Sequence, residues 1–250
     1  MLNALYLALS LLTRIPTPPQ TDATAQELGR SVLCYPLVGA ILGAILCALA
    51  QQGPIFSDSL TAALVLAAWV FLTGGLHLDG LADSADAWVG GLGDRVRTLE
   101  IMKDPHCGPS AVSVVVVLLL LKYSAIETIL SQQNELLLIW PAVFGRLGIV
   151  VLFLVLPYAR PHGMGKIQHA HLSRRWGWGV VFLTFIALIF CFGVSAFFFG
   201  VPWVVAIFLF YRTMLDRTGG ITGDLSGAVC EILEAVALIV LAWMGHEYPI

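Results

Sequence analysis

Residues 59–88 read SLTAALVLAAWVFLTGGLHLDGLADSADAW. Up to Leu76 the stretch carries no charge and suits a bilayer; beyond it come three carboxylates. Asp79, Asp83 and Asp86 stand at i, i+4 and i+7. At 100° per residue they fall within roughly 60° of one helical face. Like charges at that spacing weaken an isolated helix, so a compensating positive group is expected. The simplest is a divalent cation that carries a phosphorylated substrate. A solvated acidic cap on a loop helix is the plain alternative. Gly80, Ala82, Ser84, Ala85 and Ala87 leave space for close approach. Ionisable clusters at membrane sites are costly and usually functional, which favours the cation.

The rest of the chain supports a membrane setting. Of 250 residues, 58% are hydrophobic and 12% charged, and the mean hydropathy is +0.88. Soluble domains carry about 25% charged residues. The expected class is therefore an all-α, polytopic transmembrane helical bundle, residues 1–250 forming one domain. A net charge of −3 argues against a nucleic-acid partner. The five cysteines show no paired metal spacing and no disulfide framework. The apolar run 2–12 lacks a basic leader and does not read as a signal peptide. It is expected as an interfacial or partly inserted helix before the stiff Arg14-Ile-Pro-Thr-Pro-Pro loop.

A crossing helix needs about 20 apolar residues. Seven candidate spans result: 32–50, 59–76, 110–130, 136–156, 179–199, 201–215 and 228–243. The run 179–215 is too long for one helix, and Gly200 and Pro202 offer a break for a hairpin. Loops 14–31, 77–109, 157–178 and 212–227 would share one side and hold eleven of the thirteen basic residues. The opposite side holds only Lys122, and Arg146 falls mid-span. The positive-inside rule makes the first side cytoplasmic. The expected location is the inner, cytoplasmic membrane, with the acidic loop facing nucleotides and Mg²⁺.

Three further motifs carry chemistry. In Met102-Lys103-Asp104-Pro105-His106, Lys103 suits a phosphate as a point charge and Asp104 a metal or a hydroxyl. Its plain reading is a turn with one exposed ion pair. The run Arg217-Thr-Gly219-Gly220-Ile-Thr-Gly-Asp224-Leu-Ser-Gly227 has four glycines in nine residues, letting backbone N–H groups approach an anion. Asp224 and Glu231 share a helical face, and Glu234 lies a turn deeper, where an unpaired carboxylate is costly. Arg146 needs a partner for the same reason; Glu231 or Glu234 is the candidate, and a substrate phosphate the alternative. The basic loop from Arg160 to Trp178 reads mainly as interfacial anchoring, with a phosphate or nucleotide contact as the minor reading.

These blocks have a familiar order. Gly74-Gly75-Leu76-His77-Leu78-Asp79-Gly80-Leu81-Ala82-Asp83-x-x-Asp86 resembles the signature of the cobalamin synthase family, the adenosylcobinamide-GDP ribazoletransferases. Ile101-Met102-Lys103-Asp104, Gly219-Gly220-Ile221-Thr222-Gly223-Asp224, Leu12-Thr13-Arg14-Ile15-Pro16 and Tyr35-Pro36-Leu37-Val38-Gly39 are similar to further blocks of that family. The resemblance runs from about residue 10 to 235. Three positions depart from it: Ala87 replaces a glycine, and Pro105-His106 stands where Ser-Arg is usual.

The resemblance implies a membrane transferase in the last steps of cobalamin biosynthesis. It would join adenosylcobinamide-GDP to α-ribazole, or to its 5′-phosphate, and release GMP with Mg²⁺ as cofactor. The implied catalytic residues are Asp79, Asp83, Asp86, Asp104 and Asp224, all but Asp104 being metal ligands. His77, Lys103, Arg146, Gly219, Gly220 and Glu231 would bind substrate. The lipid bilayer is the other expected partner, and a homo-oligomer is left open. The Asp-Gly-x-x-Ala-Asp run also looks like part of the CDP-alcohol phosphotransferase motif, so a CDP-alcohol or prenyl-type transferase is one rival. A transporter is the other, although the halves show no repeat of the kind transporters often have.

Overall fold

The computed structural model describes residues 2–52 and 56–247, with side chains through residue 245. Among the described residues there are helices and no strands. They are α1 (Leu2–Leu12), α2 (Ala25–Ser31), α3 (Tyr35–Ala50), α4 (Asp58–Thr73), α5 (Leu76–Gly90), α6 (Arg95–Ile101) and α7 (Pro109–Ser131). Then follow α8 (Ile139–Val155), α9 (Met164–His171), α10 (Arg174–Phe192), α11 (Ala196–Arg217) and α12 (Gly223–Glu247). The expected all-α membrane bundle is what the chain forms.

Helix α8 is the axis of the bundle. Every side chain from Pro141 to Leu154 is buried, and α3 and α12 pack along it. Five helical runs are long and apolar enough to cross a membrane: Ala25–Ala50, Pro109–Ser131, Glu135–Val155, Arg174–Arg217 and Gly223–Gly245. The fourth, at 44 residues, would be about 66 Å long if straight. It folds back instead. Phe185 of α10 and Trp203 of α11 meet at 5.6 Å between ring centroids, and both also contact Phe144 of α8 edge-on. The hairpin is as expected, but its corner is not. The reversal lies at Gly193–Ser195, while Gly200 and Pro202 sit inside α11. Gly193 takes φ 55° and ψ −129°, a conformation that a side chain opposes. The outer faces of the hairpin carry exposed Phe182, Leu183, Phe190 and Phe197, as a lipid-facing surface should.

Helix α4 is opened by Ser57, whose hydroxyl accepts the Leu60 N–H. It is closed by two left-handed glycines, Gly74 (φ 64°) and Gly75 (φ 70°). These turn the chain by 87° into α5, which we read as lying outside the spans. Helix α1 packs its Ala4, Ala8, Leu9 and Leu12 against α2 and α3.

The basic loops meet at one end of the bundle. Arg14 N–H donates to Leu72 O at 2.6 Å, and Arg95 reaches Leu215 O at 2.7 Å and Asp216 O at 3.1 Å. Arg217 caps Trp88 O at 3.1 Å, and Arg174 caps Leu154 O at 2.9 Å. The Arg14 bond is a backbone one, whereas the guanidinium groups of Arg95, Arg217 and Arg174 sit on carbonyls at or near a helix C-terminus, where positive charge is favoured. The loops grouped by charge in the sequence are thus neighbours in space, and α5 lies among them.

Candidate active site

The site is built where α5 crosses the start of α12. Gly80 and Gly227 let the two backbones touch. A Cβ on Gly80 would stand 2.5 Å from the Asp224 carbonyl oxygen, and one on Gly227 would stand 3.0 Å from the His77 carbonyl oxygen. The small residues flanking the aspartates therefore serve helix-to-helix contact first. That contact brings Asp224 beside the Asp79/Asp83 face although 141 residues separate Asp83 from Asp224 in the chain.

The carboxylates divide by role. Asp79 is exposed, and Asp83 and Asp224 are half-buried. Burial pushes the Asp83 carboxyl up to about 6, reinforced by the negative charges of Asp79 and Asp224 and only partly opposed by Arg160. Asp224 Oδ2 accepts from Arg160 Nη2 at 2.6 Å. Asp86 turns elsewhere. Its Oδ2 accepts the Gly108 N–H at 2.6 Å and its Oδ1 the Ala111 N–H at 2.9 Å. Both oxygens thereby cap the first turn of α7, whose Pro109 has no N–H to offer.

Arg160, the head of the loop read mainly as an interfacial anchor, is the cation of this corner. The glycine loop places it. Gly220 (φ 159°) leaves no room for a side chain against Pro157, since a Cβ would stand 2.2 Å from its carbonyl oxygen. Ile221 N–H then donates to Pro157 O at 2.9 Å, and Ala159 N–H to Ile221 O at 2.9 Å, a two-residue parallel bridge. Gly220 N–H is itself bonded to Met214 O at 3.2 Å. Gly219 and Gly220 therefore shape the loop that carries Arg160; the Gly220 N–H is not free for an anion.

Deeper in the bundle lies a closed ion cluster. Arg146 contacts Glu234, and Lys122 contacts both Glu231 and Glu234. All four side chains are at most 5% exposed. Two cations balance two carboxylates, which is how charge is tolerated at such depth. The Arg146–Glu234 pairing matches the sequence expectation. Lys122 does not: it belongs to the interior of α7, with its ammonium also 4.9 Å from the centroid of the Trp69 ring. Glu231 is held by Lys122, away from the Asp224 corner with which the helical spacing grouped it.

Lys103 and Asp104 are exposed at the loop after α6. Asp104 pairs locally with His106, whose hydrogen bond holds the carboxyl below its ordinary range. Neither Lys103 nor Asp104 bonds to the carboxylates of α5. His77 is 3% exposed, and neither ring nitrogen has a hydrogen-bond partner. It lines a cavity of about 230 Å³ that runs between α1, α5, α8, α9 and the start of α12, with Asp79 and Asp224 in its wall.

Among the described residues no three His, Cys, Asp or Glu side chains form a group able to hold a metal ion unaided. The donors at the corner are hard carboxylate oxygens, with Asp83 short of positive charge. Such a set fits a cation that arrives with oxygens of its own, as Mg²⁺ does with waters and phosphates.

Comparison with known proteins accords with this site. The family model described as cobalamin-5-phosphate synthase matches residues 4–242. A relative from Pseudomonas aeruginosa is 46% identical over 247 residues, covering 96% of this chain and 98% of its own; it is named adenosylcobinamide-GDP ribazoletransferase. Relatives of the same name from Stutzerimonas stutzeri (46% identical, 95% and 97% covered) and Pseudomonas fluorescens (46%, 96% and 97%) agree. No solved structure matches the chain. With near-complete coverage at this identity, and with the aspartate block and the glycine loop packed into one corner, the chain belongs to the cobalamin-5-phosphate synthase family and is an enzyme of the ribazoletransferase kind.

Proposed function

We propose that this protein joins adenosylcobinamide-GDP to α-ribazole, or its 5′-phosphate, and releases GMP, with Mg²⁺ as cofactor. The observation that carries the reading is the convergence of Asp79, Asp83, Asp224 and Arg160 at the α5–α12 corner, at the basic end of the bundle. A hydroxyl of the acceptor ribose attacks the phosphate attached to the cobinamide. The bond from that phosphate to the GMP phosphate breaks, GMP leaves with the electron pair, and the hydroxyl proton passes to a carboxylate. Bound Mg²⁺ would neutralise charge on the diphosphate, which is the dominant requirement of such transfers.

The chain's own groups do the rest. Asp79 and Asp83 would hold the cation, with Asp224 completing the set if Arg160 moves onto phosphate. Arg160 is then the cation for developing charge on GMP, a role for which Lys103 remains the exposed alternative. The face of the bundle that bears the corner would be cytoplasmic, as the basic loops around it favour.

The test is purified protein in nanodiscs with both substrates, with and without Mg²⁺. GMP release that needs both substrates and is abolished by chelator is expected. Release with a CDP-alcohol acceptor and none with ribazole would sink the reading, and so would transport without chemistry.

A further inference from the structure

The cavity beneath the corner has a size and a chemistry of its own. At about 230 Å³ it lies below the ~300–1,000 Å³ usual for small-molecule sites. A corrin macrocycle does not fit, whereas one bicyclic ring does. Leu12, Leu76, Ile149, Phe153 and Met164 supply apolar walls. Tyr35, Gln168, Ser226, Asp79 and Asp224 also line it, but Gln168 bonds to Tyr35, Ser226 to Thr222 O and Asp224 to Arg160, so a base with many polar edge groups would have to break bonds already made. Of the buried polar side chains that line it, His77 has no hydrogen-bond partner at either ring nitrogen. A neutral imidazole offers one N–H donor, and a buried donor left unpaired in a native structure calls for a reason.

We propose that this cavity seats the base of the acceptor nucleoside, with His77 donating an N–H to the base's unsubstituted ring nitrogen. The assignment rests on the reaction proposed above. The base of α-ribazole is a dimethyl-substituted benzimidazole. It is flat, bicyclic and apolar, with one ring nitrogen bonded to ribose and the other free to accept one hydrogen bond. Cavity and base therefore match in volume and in their largely apolar surface, and the unpartnered buried imidazole meets the one free ring nitrogen. Asp79 and Asp224 stand in the same wall, so a base seated here sends its ribose toward the carboxylate corner. His77 is then a specificity-determining residue, and Met164, on α9, one boundary of the base pocket.

The experiment measures GMP release in nanodiscs with adenosylcobinamide-GDP and three acceptors. These are α-ribazole, its 3-deaza analogue with C–H in place of the free ring nitrogen, and the riboside of unmethylated benzimidazole. Wild type should prefer α-ribazole to the deaza analogue by about 10–100-fold in kcat/KM, and His77→Leu should shrink that preference below about 3-fold. Met164→Trp should raise the KM for α-ribazole about 10-fold or more, affect the unmethylated riboside less, and leave the KM for adenosylcobinamide-GDP within about 2-fold. An undiminished preference in His77→Leu overturns the assignment. So does a Met164→Trp effect that falls on adenosylcobinamide-GDP instead. Met164 is 53% exposed, so that substitution decides the matter even if His77→Leu does not fold. Absence of GMP release by the wild type with every acceptor overturns the underlying reaction, and this assignment with it, a result distinct from either variant's failure.

Discussion

Replacing Arg146 by methionine should expose how the ion cluster holds the bundle together. In the wild type Arg146 and Lys122 balance Glu231 and Glu234 inside a core that water does not reach. Without the guanidinium, two carboxylates share one ammonium. Breaking one side of a buried pair costs about 3–5 kcal/mol. Arg146→Met should therefore lower stability by about 3–5 kcal/mol. Adding Glu234→Gln removes the orphaned carboxylate and should recover most of that loss, for a coupling of about 3 kcal/mol, within the range of coupled neighbours. The assay is reversible denaturant unfolding in detergent, run as a double-mutant cycle with Arg146→Met, Glu234→Gln and the pair. Additive effects would refute the reasoning.

Other outcomes follow from the same geometry. Gly80→Val should force α5 off the Asp224 carbonyl, costing about 1–3 kcal/mol and most of the activity; a variant with wild-type turnover and melting temperature would contradict the close contact. Asp86→Ala should cost about 0.5–2 kcal/mol through the lost α7 cap, with Asp86→Asn milder and the Mg²⁺ requirement retained in both; thermal unfolding and Mg²⁺ titration check this. Asp83 keeps its proton up to about pH 6 when folded but releases it near 3.8 when unfolded, so stability without cation falls as pH rises through that window. Mg²⁺ favours the deprotonated form, so its stabilising shift in melting temperature should be larger at pH 7.5 than at pH 5; equal shifts would count against Asp83 as a ligand.

What could be read without the structure depended on range. The spans and the aspartate helix are local patterns of period and charge, and they reappear in the fold except for 59–76, whose helix ends at Thr73 after 16 residues and is too short to count as a crossing by itself. The Arg146–Glu234 pair was also legible, because a charge in an apolar span must find a partner. Lys122 was misplaced because its setting, after a run of valines and leucines, says nothing of partners 109 and 112 residues away. The hairpin corner was assigned to Gly200 and Pro202 by their residue types, whereas the left-handed backbone falls on Gly193. The cap made by Asp86 needed N–H groups 22 and 25 residues on, and the glycine loop's service to Arg160 needed a strand-like bridge to 157–159. Local pattern thus marked the candidate residues, but only tertiary contact sorted the carboxylates into those that face the corner and those that hold helices.

The most direct test is GMP release by Asp79→Asn in nanodiscs across a range of Mg²⁺, beside its melting temperature. Asp79 bonds to no other side chain and is exposed at the corner, so the substitution should leave the fold intact. A loss of turnover of at least about a hundredfold, with melting unchanged, is predicted. Near wild-type turnover with the same Mg²⁺ half-saturation would contradict the placement of the cation and diphosphate on the α5–α12 corner.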